Sequence, residues 1–183
     1  QALKMHLAYE LNRMIPVQFM STAANYSERK ALMALLEAGV TYITDRGYLS
    51  FDIFQQIAIQ QAFFITRIRY NINATVKTVL EADMPESWDL FLSDITDTLV
   101  VFSGDPSKQT YRLVCFVVLG ELYRITTNRF DLKTSEIIML YAYRWQVELF
   151  FRCIKRTFNA LHLWNHEADG IKIQFYIYLI AYV

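Results

Sequence analysis

The period of the apolar positions changes several times along the chain, and each change marks an element. Met5 to Leu11 and Ile15 to Met20 are apolar runs of strand length on either side of Arg13-Met14, a pattern that predicts a hairpin. Ser27 then stands as a helix N-cap before Glu28 to Ala38, where Ala31, Leu32, Leu35 and Leu36 share one face. Gly39 suits the helix stop. Val40 to Thr44 reads as a short buried strand ending at Asp45, with a turn at Arg46-Gly47. Ser50 caps a second helix through Gln60, with Phe51, Phe54, Ile57 and Ala58 at helical spacing, and Phe63 to Ile68 is a further strand. This alternation of strands and helices predicts an α/β sheet with helical crossovers.

The middle of the chain loses the helical period. Thr98 to Phe102 reads as a strand, Ser103-Gly104-Asp105-Pro106 as a turn, and Tyr111 to Val118 with Leu122 to Thr127 as a hairpin about Gly120. The helical period returns at Thr134-Ser135 and is expected to continue unbroken to about Phe158. The organisation expected is an α/β core made of residues 1–70 and 129–183, with a β-rich insertion at 71–128. The apolar tail from Phe175 to Val183 reads as a buried core helix. Its nine residues fall well short of the roughly 20 that a membrane span requires.

Composition adds constraints. The 183 residues are 54% hydrophobic and 20% charged, which excludes a disordered or low-complexity chain. Two cysteines, Cys115 and Cys153, exclude a disulfide scaffold and a four-cysteine zinc site. The three histidines, His6, His162 and His166, show no zinc-ligand pattern. Net charge is zero, but it is unevenly spread. Glu81 to Asp105 holds seven acids and no Lys or Arg, whereas Arg124 to Arg156 holds seven bases and three acids.

On one continuous helix, Tyr141, Arg144, Glu148, Arg152 and Lys155 would share an arc of about 80°, with mostly apolar residues around the rest. Trp145, beside that arc, is expected in the core. The stripe has two readings. One is a solvated groove of i,i+4 ion pairs; the other is a carboxylate facing a cleft with cations that track a phosphate backbone. Asp45 is the second carboxylate of interest, because ligands of α/β sheets bind at the carboxyl ends of strands. Its other reading is an Asp that only opens a turn.

The spacing Tyr141-x₂-Arg144-x₃-Glu148-x₆-Lys155 resembles the Y-R-E-K signature of bacterial insertion-sequence transposases of the DDE type. Thr44-Asp45-Arg46-Gly47-Tyr48 resembles the second-aspartate motif of that family, and Thr126-Thr127-Asn128 resembles its approach to the catalytic helix. The resemblance implies a ribonuclease-H-like fold: a mixed sheet flanked by helices, with a β-rich insertion before the catalytic helix. It further implies a bacterial, cytoplasmic and nucleoid-associated protein acting on double-stranded DNA, as a homodimer when bound, with no membrane partner. Family chemistry uses two Mg²⁺ ions (Mn²⁺ can substitute) held by Asp, Asp and Glu. Water cleaves a phosphodiester at the transposon end, and the freed 3′-OH then joins target DNA.

Carried onto this sequence, Asp45 and Glu148 are the expected catalytic metal ligands. Tyr141, Arg144 and Lys155, with Arg152 beside them, are the expected DNA-binding residues. One departure stands out. No residue matches the family's first Asp, since Glu10 is the only acid before Glu28 and does not fit the motif. The chain is therefore expected to be an internal fragment that holds two of three ligands and does not cleave DNA alone. Two other classes compete: a DNA-binding relic of the same fold without catalysis, and a membrane-associated domain resting on the aromatic tail.

Overall fold

Buried apolar residues gather in clusters, one about Ile65, Val114 and Ile137 and one about Phe150, Ile154 and Tyr178. The computed structural model describes residues 3–48, 50–157, 164 and 167–182. The chain divides into two compact units, one of Gln1–Leu35 with Tyr143–Val183 and the other of Leu36–Ala142.

The second unit is built on a six-stranded sheet. Its strands are β3 (Thr41–Thr44), β4 (Phe63–Arg67), β5 (Ala74–Leu80), β6 (Ser93–Phe102), β7 (Thr110–Val118) and β8 (Glu121–Thr127), in the order β3-β4-β8-β7-β6-β5. β3 and β4 are parallel, joined through helix α2 (Phe51–Ile59), and every other pair is antiparallel. Successive side chains of β4 point to opposite faces. Phe64 stacks on Phe54 of α2, with ring centroids 4.1 Å apart. Ile65 instead joins Ile137, Ile138 and Tyr141 of α3 (Thr134–Ala142) in a cluster with Val114, Phe116 and Ile125. Helices α2 and α3 therefore cover opposite faces of a mixed sheet, the architecture the sequence predicts. The strands of the 71–128 segment continue the sheet begun by β3 and β4 rather than forming one of their own.

Strand β5 is absent from the sequence reading. It forms one edge of the sheet, five of its seven residues are exposed, and so neither face imposes an apolar alternation. Its pairing with β6 slips between Val76 and Thr78. The β7–β8 hairpin turns at Leu119 (φ 50°) and Gly120 (φ 77°), both left-handed, as a two-residue turn of matching twist requires.

The first unit holds the hairpin of β1 (Leu3–Glu10) and β2 (Ile15–Ala23), then α1 (Glu28–Ala34), α4 (Trp145–Thr157) and α5 (Ala168–Tyr182). Met14 takes a positive φ of 56° at the hairpin turn. Phe150 and Ile154 of α4 and Tyr178 and Leu179 of α5 form its core, with Leu7, Tyr9 and Phe19 of the hairpin packed against them. The tail is only half a core helix: Ile173, Tyr176, Ile177 and Ile180 are exposed. Among the described residues no helix is long and apolar enough to cross a membrane.

The long helix expected from Thr134 to Phe158 is two helices. Residues Tyr143 and Arg144 form a turn between α3 and α4, where Gln146 N–H donates to Tyr143 O and Val147 N–H to Arg144 O. Neither Pro nor Gly marks this break. Its consequence is that the five-residue stripe does not run along one helix. Phe158 itself lies outside the described residues, as do His162 and His166.

Candidate functional site

Asp45 follows directly on the last residue of β3. Thr44 lies opposite Thr66 in the parallel pair, its Oγ1 donating to Thr66 Oγ1 at 2.8 Å, while Thr66 Oγ1 lies 3.2 Å from Thr44 O. The chain then tightens into a 3₁₀ turn at Arg46–Tyr48. Arg46 N–H donates to Asp45 Oδ1 at 2.7 Å, and Tyr48 N–H donates to Asp45 O at 3.0 Å. An exposed carboxylate is thus fixed at the carboxyl end of a parallel strand by its own turn. Its oxygens are the hard donors that Mg²⁺ takes.

A charged cluster sits in the same unit. Glu121 opens β8, and its Oε1 accepts from Arg67 Nη2 at 2.5 Å and lies 3.5 Å from Arg46 Nη2. Arg67 stacks on the Tyr123 ring, its guanidinium carbon 3.8 Å from the centroid, and donates to Leu122 O. The Arg67 hydrogen bond holds the Glu121 carboxyl below its usual range. Neighbouring Arg124 caps three carbonyls, those of Arg69, Tyr70 and Ile72, and so pins the loop after β4.

Helix α4 carries the remaining candidates. Phe150 and Ile154 point into the core of the first unit. Glu148, Arg152 and Lys155, at i, i+4 and i+7, fall within about 60° of one another on the opposite side. Arg152 and Lys155 are exposed, and Glu148 is half-buried. Arg144, in the turn that precedes α4, pairs with Glu148 at 2.8 Å, and its guanidinium lies 5.7 Å from the centre of the Trp145 ring.

The structure therefore groups Arg144, Glu148, Arg152 and Lys155 in the first unit and places Asp45 in the second. Tyr141 lies one residue before the end of α3, buried in the sheet core with its ring edge-on to Tyr123. The narrow polar stripe on a buried cylinder is not what α4 presents. Only Phe150 and Ile154 are buried on it, and Trp145, expected in the core, is 54% exposed. Trp88 packs against the α3 side of the sheet. Ser27 and Ser50 occupy N-cap positions without a side-chain capping bond. Among the described residues no three His, Cys, Asp or Glu side chains gather as a metal-holding group. Asp45 and Glu148 each carry the hard oxygen donors that a divalent cation takes.

Sequence reasoning missed the Arg46–Glu121–Arg67 cluster. Its signal was partly visible, since Arg46 belongs to the Thr44–Tyr48 motif. Only the β4–β8 pairing, which sets Arg67 against Ile125, brings its other members near.

Comparison with known proteins matches a family model described as transposase DDE domain across residues 1–183. The chain is 27% identical over 185 positions to the candidate transposase y4zB of Sinorhizobium fredii, covering 100% of this chain and 52% of that protein. It is 26% identical over 181 positions to the candidate transposase of insertion sequence element IS5377 of Geobacillus stearothermophilus, covering 98% of this chain and 48% of that protein. The chain thus spans about half the length of these relatives.

Proposed function

The chain belongs to the transposase DDE domain family, and from that premise we propose that it is the catalytic part of a DNA transposase that hydrolyses phosphodiesters at transposon ends and transfers the cut strand to target DNA. The observation that carries this reading is the solvent face of α4, where one carboxylate stands in a row of cations. Glu148 and Asp45 are the side chains that would hold divalent cations, two Mg²⁺ in the family pattern. When bound, such ions supply charge stabilisation at the scissile phosphate and an activated water or hydroxyl.

The protein's own residues do the rest. Arg144 holds the Glu148 carboxylate in one orientation through their ion pair. Arg152 and Lys155 extend from the same face toward a phosphate backbone and release its counterions on binding. Tyr141 acts from the core, where it fixes the end of α3 just before the turn that carries Arg144. A homodimer on DNA, in the bacterial cytoplasm and on the nucleoid, suits a reaction that must join two ends. The organisation proposed remains a catalytic core of 1–70 and 129–183 about a β-rich segment at 71–128.

The test has two parts. Lys155→Ala and Arg152→Ala should each weaken duplex binding and lower the salt slope by about one. Unchanged binding in both would refute their role. In the full-length protein, Glu148→Gln should bind transposon ends and fail to cut them; cutting at the wild-type rate would remove Glu148 from the metal set. No residue here matches the first Asp of the family, so these 183 residues alone should not nick DNA with Mg²⁺. Divalent-dependent nicking by them would contradict that. The non-catalytic relic is the reading left if the full-length protein binds ends and never cuts.

A further inference from the structure

We propose that Glu121 is an internal stand-in for a DNA phosphate: it occupies the point between Arg46 and Arg67 where a phosphodiester of bound duplex sits, and DNA must displace it to bind. This rests on the DNA-binding reading above and assigns it a second contact point, next to Asp45.

The geometry is specific. Two guanidinium groups from different elements, Arg46 in the turn after β3 and Arg67 at the end of β4, converge on one oxygen, Glu121 Oε1, at 3.5 and 2.5 Å. Tetrahedral phosphate oxygens favour such convergent donors. Arg67 is held ready for a partner whether or not Glu121 supplies it. Its side chain is 11% exposed, it is stacked on Tyr123, and its buried Nε–H has no hydrogen-bond acceptor. A buried guanidinium with an unmet donor is costly and gains from an anion of more than two oxygens.

Glu121 is the opposite kind of group. Its side chain is 57% exposed and lies at the first position of β8, next to the Leu119–Gly120 turn. Glu121 is also held by Tyr123 OH, 3.4 Å from its Oε2, and it returns to water on leaving; the partner that buried Arg67 then lacks is what a DNA phosphate supplies. The pairing keeps the two arginines from attracting other anions, and its loss frees two guanidinium groups, one of them on the residue after Asp45. The latch thus trades affinity for discrimination: weak or isolated anions do not compete with Glu121, whereas a polyanion anchored elsewhere on the protein does.

The test is a mutant cycle read by anisotropy of a short labelled duplex at fixed salt, with melting curves as a check on folding. Glu121→Gln should tighten duplex binding about threefold or more. In the Arg46→Gln/Arg67→Gln background the same substitution should change nothing. Because Arg67 is mostly buried, Arg46→Gln alone serves as a second background, and there the gain should fall. Absence of a gain, or an equal gain in every background, overturns the proposal. If Lys155→Ala weakens binding while the cycle is flat, only the latch fails. If no folded variant binds duplex, the DNA-binding reading falls and takes the latch with it.

Discussion

Asp97 and Arg112 show how much a single side chain can carry. Both are buried, and the guanidinium grips the carboxylate through Nε at 2.9 Å and Nη2 at 2.6 Å. Thr134 Oγ1 donates to the same carboxylate at 2.7 Å, tying the start of α3 to the sheet. Removing one charge strands the other in a low dielectric, so Arg112→Met should cost about 3–5 kcal/mol in urea denaturation. Adding Asp97→Leu should recover much of that loss. Asp105 is also fully buried. Desolvation raises its pKa, but bonds from Ser107 N–H, Ser107 Oγ and Gln109 N–H outweigh it, and the net shift is downward. A depressed carboxyl stabilises the fold above its ordinary value of 3.8 and loses that contribution as pH falls below it. Asp105→Asn should therefore flatten the acid limb of the stability curve. Both acids belong to the acidic run from Glu81 to Asp105, and nothing local in it marks the partner of Asp97, Arg112, 15 residues away. Tyr141, which the signature names, is buried in the sheet core, a setting that nothing local in the sequence marks.

Among the elements, those with a local cause were legible. The β1–β2 hairpin, the β3-α2-β4 unit and the β7–β8 hairpin each show period and turn chemistry in the sequence. The break between α3 and α4 shows neither, because Tyr143 and Arg144 are ordinary helix residues and only the fold ends α3 there. A continuous helix was the consistent reading, and it produced an arc that the structure splits between two elements. The β7–β8 turn gives the sharpest test at this scale. Leu119 pays for a left-handed φ with a fully exposed side chain, so Leu119→Asn should raise stability by about 0.5–1 kcal/mol. Gly120→Ala meets no neighbour within 4 Å, so its cost of about 1 kcal/mol is purely conformational. Thermal melts of the two variants should move in opposite directions.

For the whole molecule, the mixed sheet and its flanking helices follow from the sequence. The first unit joins Gln1–Leu35 to Tyr143–Val183, segments far apart in sequence. Asp45 and Glu148 fall on either side of the division into units, so the joint catalytic use proposed for them rests on the family resemblance rather than on a composition or period. The neutral net charge likewise conceals local sorting, with the cations of α4 in one unit and most of the acids in the other.

The edge strand β5 has a consequence for how the protein behaves in a concentrated solution. Its outer ladder of backbone donors and acceptors lies between exposed Val76 and Val79, and the register slip beside Lys77 interrupts it. A charged residue at an irregular edge is what keeps one chain from templating the next. Lys77→Val should leave folding intact and turn that rim into a self-complementary seam. Light scattering should then rise with protein concentration and time in the variant, while the parent solution stays clear.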